Sequence, residues 1–323
     1  MNLMSSPRRG SMGFYPRVRA RSIRIRVKSW PSAKEAVLLG FPAYKVGMVS
    51  SILLDAYEKS HLFGKEVVKA CTVLEAPPVY VLGLKLYKKE MGALKSLATI
   101  FSKEIPKKIS ERIDGPVKSN YDLSLIDEVK DQIAEIRAIV ATQPFLTGIG
   151  KKKPDVFEIK IGGELNSAIE YAKKIFGKEV SVKEVFKELS LVDVIGVTKG
   201  KGFQGVVKRF GVKVLPRWHK HRKGSRKVGS IGPIDPSLMR FVPRPGQMGF
   251  HRRTEYNKLI LHIGEDPNSI NPKGGFKHYG LIKNNYILLL GSVMGPPKRI
   301  IFLRYPIRPQ KRIWKYQLLK VVA

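Results

Sequence analysis

Two short strings in the chain have the residue types of reactive sites. Gly200-Lys201-Gly202-Phe203-Gln204-Gly205 has the G-x-G-x-x-G spacing that lets a backbone approach a phosphate closely. A dinucleotide fold would also need a helix opening at that point and an acid about 20 residues on to hold the ribose. The continuation Val206-Val207-Lys208-Arg209-Phe210-Gly211 reads as β-like, and positions 215–228 hold no acid. The string also mimics a kinase glycine loop, but V-A-I-K, H-R-D and D-F-G are absent from the chain. What remains is an electrostatic reading, in which glycines bring backbone to backbone and lysines meet phosphates.

The second string, Trp218-His219-Lys220-His221-Arg222-Lys223-Gly224, pairs two histidines. A metal would need a third and a fourth ligand, and the neighbouring cations repel it. Phosphate or base contact is the preferred reading, with a solvated loop as the plain alternative. His251 beside Thr254 and Glu255 makes no triad, because no nucleophile is held by an oriented base. Cys71 is the single cysteine, so an internal disulfide and a Cys-based zinc site are both excluded. It reads as a small buried hydrophobe on a strand. No carboxylate pair occurs in the basic region, which removes two-metal and glycosidase chemistry there. The sequence therefore predicts no catalytic residue, no metal and no cofactor.

The charge points to a partner. The 323 residues carry 60 Lys and Arg against 26 Asp and Glu, a net +34. Residues 1–30 hold 8 cations and no acid, residues 197–253 hold 15 and only Asp235, and residues 296–323 hold 8 and none. The remaining 208 residues are nearly balanced, with 29 cations and 25 acids. A solvated face mixes both signs. Segments this one-sided call for a polyanion, with nucleic acid first and an anionic membrane surface second. Apolar runs such as Tyr286–Leu290 fall far short of the ~20 residues of a membrane span. The Arg- and Ser-rich N-terminus loosely resembles an organelle transit peptide, but Pro7, Gly10, Gly13 and Pro16 would break an amphipathic helix. A single cysteine suits a reducing cytosol.

The elements that must position these residues are mostly strands. Residues 44–54, 66–74 and 79–87 read as strands, with Glu75-Ala76-Pro77-Pro78 as the turn between the last two. Leu125, Ile126, Val129, Ile133, Ile136 and Val140 recur at helical spacing, which predicts one amphipathic helix over 123–142. Strand 155–161, helices 164–176 and 182–189, and strand 191–198 follow. Strands 259–263, 286–290 and 300–303 complete the pattern. Between them, residues 197–253 hold only 18 apolar residues, with 9 Gly and 5 Pro. That composition predicts an extended arm that orders against a polyanion. Phe203, Phe210, Trp218, Phe241 and Phe250 interleave with its cations, either to stack on unpaired bases or to anchor the two sides of the arm to each other.

At this point a resemblance is carried by particular residues. Phe186, Asp193, Gly196, Thr198, Gly200, Lys201, Gly202, Gly205 and Arg209 fall at the spacing of the signature of the universal large-subunit ribosomal protein three family. Lys45-Val46-Gly47-Met48, Glu75-Ala76-Pro77-Pro78, Pro245-Gly246-Gln247-Met248-Gly249 and Gly291-Ser292-Val293-Met294-Gly295-Pro296 resemble further motifs of that family. The long insertion and basic N-terminus resemble its archaeal and eukaryotic branch, and the modest length its archaeal members. The chain departs from many of those relatives at Ile234, where they carry Trp.

The resemblance implies a mainly β fold with an α+β insertion: a six-stranded translation-protein-like β-barrel, an inserted α/β region and a long basic extended arm. The boundaries are a basic extension over 1–40, barrel parts over 41–90, 181–199 and 255–308, the insertion over 91–180, the arm over 200–254 and a basic tail over 309–323. It implies a non-enzymatic constituent of the large ribosomal subunit, cytoplasmic with the ribosome, that binds rRNA, supports early assembly and reaches toward the peptidyl-transferase centre. Its partners would be large-subunit rRNA and neighbouring ribosomal proteins, with no membrane and no homo-oligomer. Expected rRNA contacts are Lys199, Lys201, Lys208 and Arg209 at the base of the arm. Lys213, Arg217, Trp218, His219, Lys220, His221, Arg222, Lys223, Arg226 and Lys227 follow on the outgoing limb. Arg240, Arg244, Gln247, His251, Arg252 and Arg253 lie on the return. Gly232, Pro233, Ile234 and Asp235 form the tip. The rival reading is a nucleic-acid-modifying enzyme with a basic channel, which would need a catalytic constellation. A chromatin-like or membrane-surface protein would place its charge in tails or amphipathic helices.

Overall fold

The computed structural model of the protein describes residues 8–113, 122–217, 219–221, 224–235, 237–310 and 315–322, apart from the side chain of His219. It is mainly β. β1 (Gly40–Asp55) and β2 (Glu66–Glu75) form a long antiparallel pair, and Ala76-Pro77-Pro78 ends β2 because proline cannot continue a ladder. β3 (Val79–Glu90), β4 (Ala93–Phe101), β5 (Glu135–Ala141), β6 (Val156–Lys160) and β7 (Glu179–Val180) follow, with a helix at Leu165–Ile175. Next come β8 (Leu191–Val197), β9 (Gly200–Gln204), β10 (Gly246–Gly249), β11 (Arg252–Gly264), β12 (Tyr286–Leu290), β13 (Ile300–Arg304) and β14 (Tyr316–Val322).

Three sheets result. The largest runs β13-β8-β11-β12-β2-β1-β14. The first residues of β1 also pair with β13, from Gly40 with Arg304 to Tyr44 with Ile300, so the pairing returns to its start. The second sheet runs β4-β3-β5-β6, with β7 on β3. β9 and β10 pair with each other alone. The chain divides into two compact units: unit 1 comprises the residues up to Arg21 and Val197–Arg253, and unit 2 comprises Ser22–Gly196 and Thr254–Ala323.

The core of unit 2 includes Phe41, Tyr44, Val73, Leu84, Val140, Val194, Ile260, Leu288 and Phe302. Buried polar groups fix its crossings. The Asp193 carboxylate on β8 binds the Arg304 guanidinium at 2.7 Å and accepts from the backbone N–H of Asn257 at 3.2 Å and of Ile307 at 3.1 Å. Arg304 also donates to the Ser29 carbonyl at 2.9 Å, so one ion pair ties β8, β11, β13 and the segment before β1. Glu75 accepts from the backbone N–H groups of Lys283 and Asn284 and from the Tyr279 hydroxyl. Burial, with the Glu75 charge beside it, pushes the Tyr279 hydroxyl far above its ordinary range.

Three sequence expectations are corrected. Residues 123–142 are not one helix. Leu125–Glu128 makes a single helical turn, Lys130–Gln132 a 3-10 turn, and the remainder is β5. Ile136, Ala138 and Val140 enter the main core, while Ile139 and Ala141 enter a smaller cluster with Tyr80, Leu82 and Ile109. A strand buried on both faces, as β5 is between β3 and β6, reads as a continuous apolar run, and its spacing here coincided with a helical period. The helix expected over 182–189 is only Val182–Val185, closed by a capping box of Ser181 and Glu184. Val206–Phe210 is not β-like but helical, with Val206 and Phe210 buried one turn apart. β4 and β14 have no counterpart in the sequence reading. Cys71 is fully buried, and burial pushes its thiol upward. Among the described residues no helix is long and apolar enough to cross a membrane, and no group of three or more His, Cys, Asp or Glu could hold a metal.

Candidate nucleic-acid interface

The interface is built on β9 and β10. Gly200 faces Gly249, Phe203 faces Gln247 and Gln204 faces Gly246, with a bulge between Gln247 and Gly249. Gly249 has φ +72°, and a Cβ there would stand 2.1 Å from the Lys199 carbonyl oxygen, so only glycine permits this approach. After β9, the short helix ends at Gly211, whose φ of +65° closes it in the left-handed conformation.

The N-terminal segment laces these limbs. Arg8 donates to the Phe241 carbonyl at 2.6 Å, and the Tyr15 ring lies 4.9 Å from the Phe241 ring. The Arg17 guanidinium lies over both Phe210 and Tyr15, at 4.5 and 4.9 Å, and donates to the Ser11 carbonyl. Ala20 donates to the Phe250 carbonyl at 2.8 Å. His251 Nδ1 lies 2.8 Å from the Val18 carbonyl oxygen. A carbonyl only accepts, so Nδ1 carries the hydrogen. The His251 N–H also donates to the Thr198 hydroxyl oxygen at 3.1 Å, and the Thr198 N–H donates to the His251 carbonyl at 2.9 Å.

Arg209 differs from the lysines near it. Its Nε donates to the Gln247 carbonyl at 3.0 Å and its terminal nitrogens to the Arg244 and Arg17 carbonyls at 2.8 and 3.4 Å. The planar fork joins the helix, the returning limb and the N-terminal segment. Burial, and then the nearby Arg17 charge, pull both Arg209 and Arg253 below the ordinary guanidinium range.

Within unit 1 these elements enclose an open cleft of about 470 Å³ lined by Phe14, Arg17, Thr198, Lys199, Lys201, Arg209, Gln247, Met248, Gly249, His251 and Arg253. No acid lines it. Six of the expected contact residues therefore meet at one place: Lys199, Lys201, Arg209, Gln247, His251 and Arg253. The others are spread along the limbs. Lys208, Lys213, Arg217, Lys220, Arg226, Lys227, Arg240, Arg244 and Arg252 are exposed, and His221 is half-buried. Arg240 lies over the Phe241 ring at 5.3 Å. Trp218, Arg222, Lys223 and the side chain of His219 lie outside the described residues. At the tip, the Met239 N–H bonds the Ile231 carbonyl at 3.0 Å across the turn of Gly232, Pro233, Ile234 and Asp235, and Ile234 is 99% exposed.

Sequence reasoning missed the N-terminal share of the cleft, Phe14 and Arg17. The available signal was the adjacent pair Phe14-Tyr15, two aromatics in a segment otherwise poor in core residues.

The family model described as Ribosomal protein L3 matches residues 1–321. The chain is 53% identical to the large ribosomal subunit protein uL3 of Pyrobaculum arsenaticum over 317 residues, covering 96% of this chain and 94% of that protein. It is 50% identical to the uL3 of Caldivirga maquilingensis over 329 residues, covering 98% and 94%. It is 49% identical to that of Sulfurisphaera tokodaii over 319 residues, covering 95% and 93%.

Proposed function

We propose, from the premise that this chain belongs to the ribosomal protein L3 family, that unit 1 is the part that grips large-subunit rRNA and that unit 2 is the body that carries it. The protein is a structural constituent of the large ribosomal subunit and not an enzyme. Its partners are large-subunit rRNA and neighbouring ribosomal proteins, and as part of the ribosome it is cytoplasmic.

The observation that carries the assignment to unit 1 is its charge. Its 78 residues hold 20 Lys and Arg and a single acid, Asp235. Each cation that meets a phosphate releases counterions, and this supplies most of the affinity for a packed polyanion. Arg209 acts as an internal strut, and Lys199, Lys201, Lys208 and Arg252 are exposed at the surface. The tip is different. It has no cation between Lys227 and Arg240, and it exposes Ile231, Ile234, Leu238 and Met239. It is the reach of the arm over 200–254, extending toward the peptidyl-transferase centre, while the base anchors. The ring of pairings β1-β2-β12-β11-β8-β13-β1 supports a six-stranded translation-protein-like barrel, made from residues 41–90, 181–199 and 255–308. β4 to β7 of the second sheet belong to the insertion over 91–180, while β3 (Val79–Glu90) joins that sheet and not the six-stranded ring from within 41–90, and the segments 1–40 and 309–323 are basic extensions. Binding before the subunit is complete makes it a supporter of early assembly.

Sedimentation tests this function. The protein is expected to travel with large subunits at low magnesium and to leave them only at high salt. Release at moderate salt while the subunits stay whole would overturn it.

A further inference from the structure

The cleft of unit 1 has more than charge. Lys199 and Lys201 reach it from the start of β9, and among the described residues their ammonium groups have no acceptor. Arg253 reaches it from β11 and rests over the Phe14 ring at 4.9 Å. Arg17 is half-buried, and its Nε has no acceptor among the described residues. These cations converge with no carboxylate beside them, and burial already opposes the charge of Arg253. Such a site is completed by an anion.

One lining residue does not fit a purely ionic site. Phe14 is 53% exposed, and it packs its ring against a cation instead of a core. An exposed aromatic face in a cleft lined by several cations is how unpaired nucleotides are held: the ring takes the base and the cations take the backbone. The volume, about 470 Å³, lies in the range of clefts that hold small ligands and is too small for a paired helix. His251 has its Nδ1 hydrogen committed to the Val18 carbonyl, which leaves Nε2 for a second hydrogen bond, a fit for the ribose 2′-hydroxyl, which can both donate and accept.

We propose that this cleft captures one unpaired ribonucleotide of the rRNA, with its phosphate between Lys199, Lys201 and Arg253 and its base on Phe14. The inference rests on the assignment of unit 1 to rRNA. It adds that unit 1 selects a single-stranded feature and that the N-terminal segment supplies the platform for it.

The test uses the full chain and intact large-subunit rRNA. Phe14→p-benzoylphenylalanine, irradiated in the complex, is expected to produce one dominant primer-extension stop, at a nucleotide that is unpaired in the rRNA. Phe14→Leu keeps the apolar bulk without the π face. It is expected to weaken binding about fivefold or more and to leave the salt dependence unchanged. Lys201→Gln is expected to make the slope of log affinity against log salt shallower by about 0.7 to 0.9. A stop within a paired helix, stops spread over many positions, or a Phe14→Leu protein that binds like the parent would overturn the proposal while leaving rRNA binding by unit 1 intact. A parent protein that fails to bind the rRNA at all would overturn the underlying assignment instead.

Discussion

The two units hold their cations in opposite ways. In unit 2, 40 Lys and Arg share 245 residues with 25 acids, and the cations pair with carboxylates: Arg304 with Asp193, Arg137 and Lys160 with Glu135, Lys173 with Asp127. In unit 1 there is almost no carboxylate to pair with. Arg8, Arg17 and Arg209 are held by carbonyl oxygens and by aromatic rings. A carbonyl orients a guanidinium without cancelling its charge. Unit 1 is thus ordered by its cations and yet keeps their field for an outside anion. The same side chains in unit 2 would be neutralised by their partners.

The largest effect that would break this comparison is that of salt. If about 10 phosphates are engaged, log affinity for rRNA falls with a slope of roughly −7 to −9 against log salt, so a fourfold rise in salt costs about 10⁴ to 10⁵ in affinity. A filter-binding titration with a slope shallower than about −3 would mean that the field of unit 1 is not what binds. Next is the buried pair of unit 2. Asp193→Ala leaves Arg304 without its carboxylate in the core and is expected to cost about 3–5 kcal/mol in chemical denaturation. The salt slope should not change, and a change in slope would show that the two units do not divide the work. Third is the strut. Arg209→Ala is expected to cost about 1.5–3 kcal/mol of local stability, seen as faster amide exchange over residues 244–251. Arg209→Lys should not restore it, since one ammonium cannot reach three carbonyls in a fixed fork. Full rescue by Lys would mean that Arg209 contributes charge and not geometry. The smallest effect is at the tip. Deleting residues 230–237 should leave rRNA binding within about tenfold, roughly 1.4 kcal/mol, while peptide-bond formation on reconstituted subunits falls. A deletion that abolishes binding would place anchoring in the tip.

Legibility in the sequence followed burial. β12 was readable to the residue, because Tyr286–Leu290 is an uninterrupted apolar run between turn signals. β1 was read from Tyr44 but begins at Gly40, because Pro42 within the buried stretch Gly40–Ala43 argues against a strand, and β2 runs one residue further, to the buried Glu75. β5 was misread because Ile139 and Ala141 face one core and Ile136, Ala138 and Val140 the other, which erases the period of two. Val206–Phe210 was misread because its β-branched pair Val206-Val207 favours a strand. Tertiary packing of Val206 and Phe210, and the stop at Gly211, decided for a helix. In the interface, the excess charge located the limbs. It could not tell Arg209, which is tied to three carbonyls, from Lys201, which is not. It also could not reveal that Phe14 and Arg17 share a cleft with residues far along the chain, because such a meeting leaves no local pattern.

That separation has a consequence in time. Arg17 and Arg209, joined through the Arg17 carbonyl, are 192 positions apart. At a synthesis rate of roughly 5–20 residues per second, the N-terminal segment waits about 10–40 seconds for the limbs it will bind. During that interval the basic segment lacks the limbs that hold it in the finished fold. β1 to β7 are complete before β9 is synthesised, so the body of the protein has its second sheet in hand when unit 1 first becomes able to close. The segment that laces unit 1 is therefore synthesised well before the limbs it binds, and RNA that reaches it early meets an open segment instead of a finished cleft.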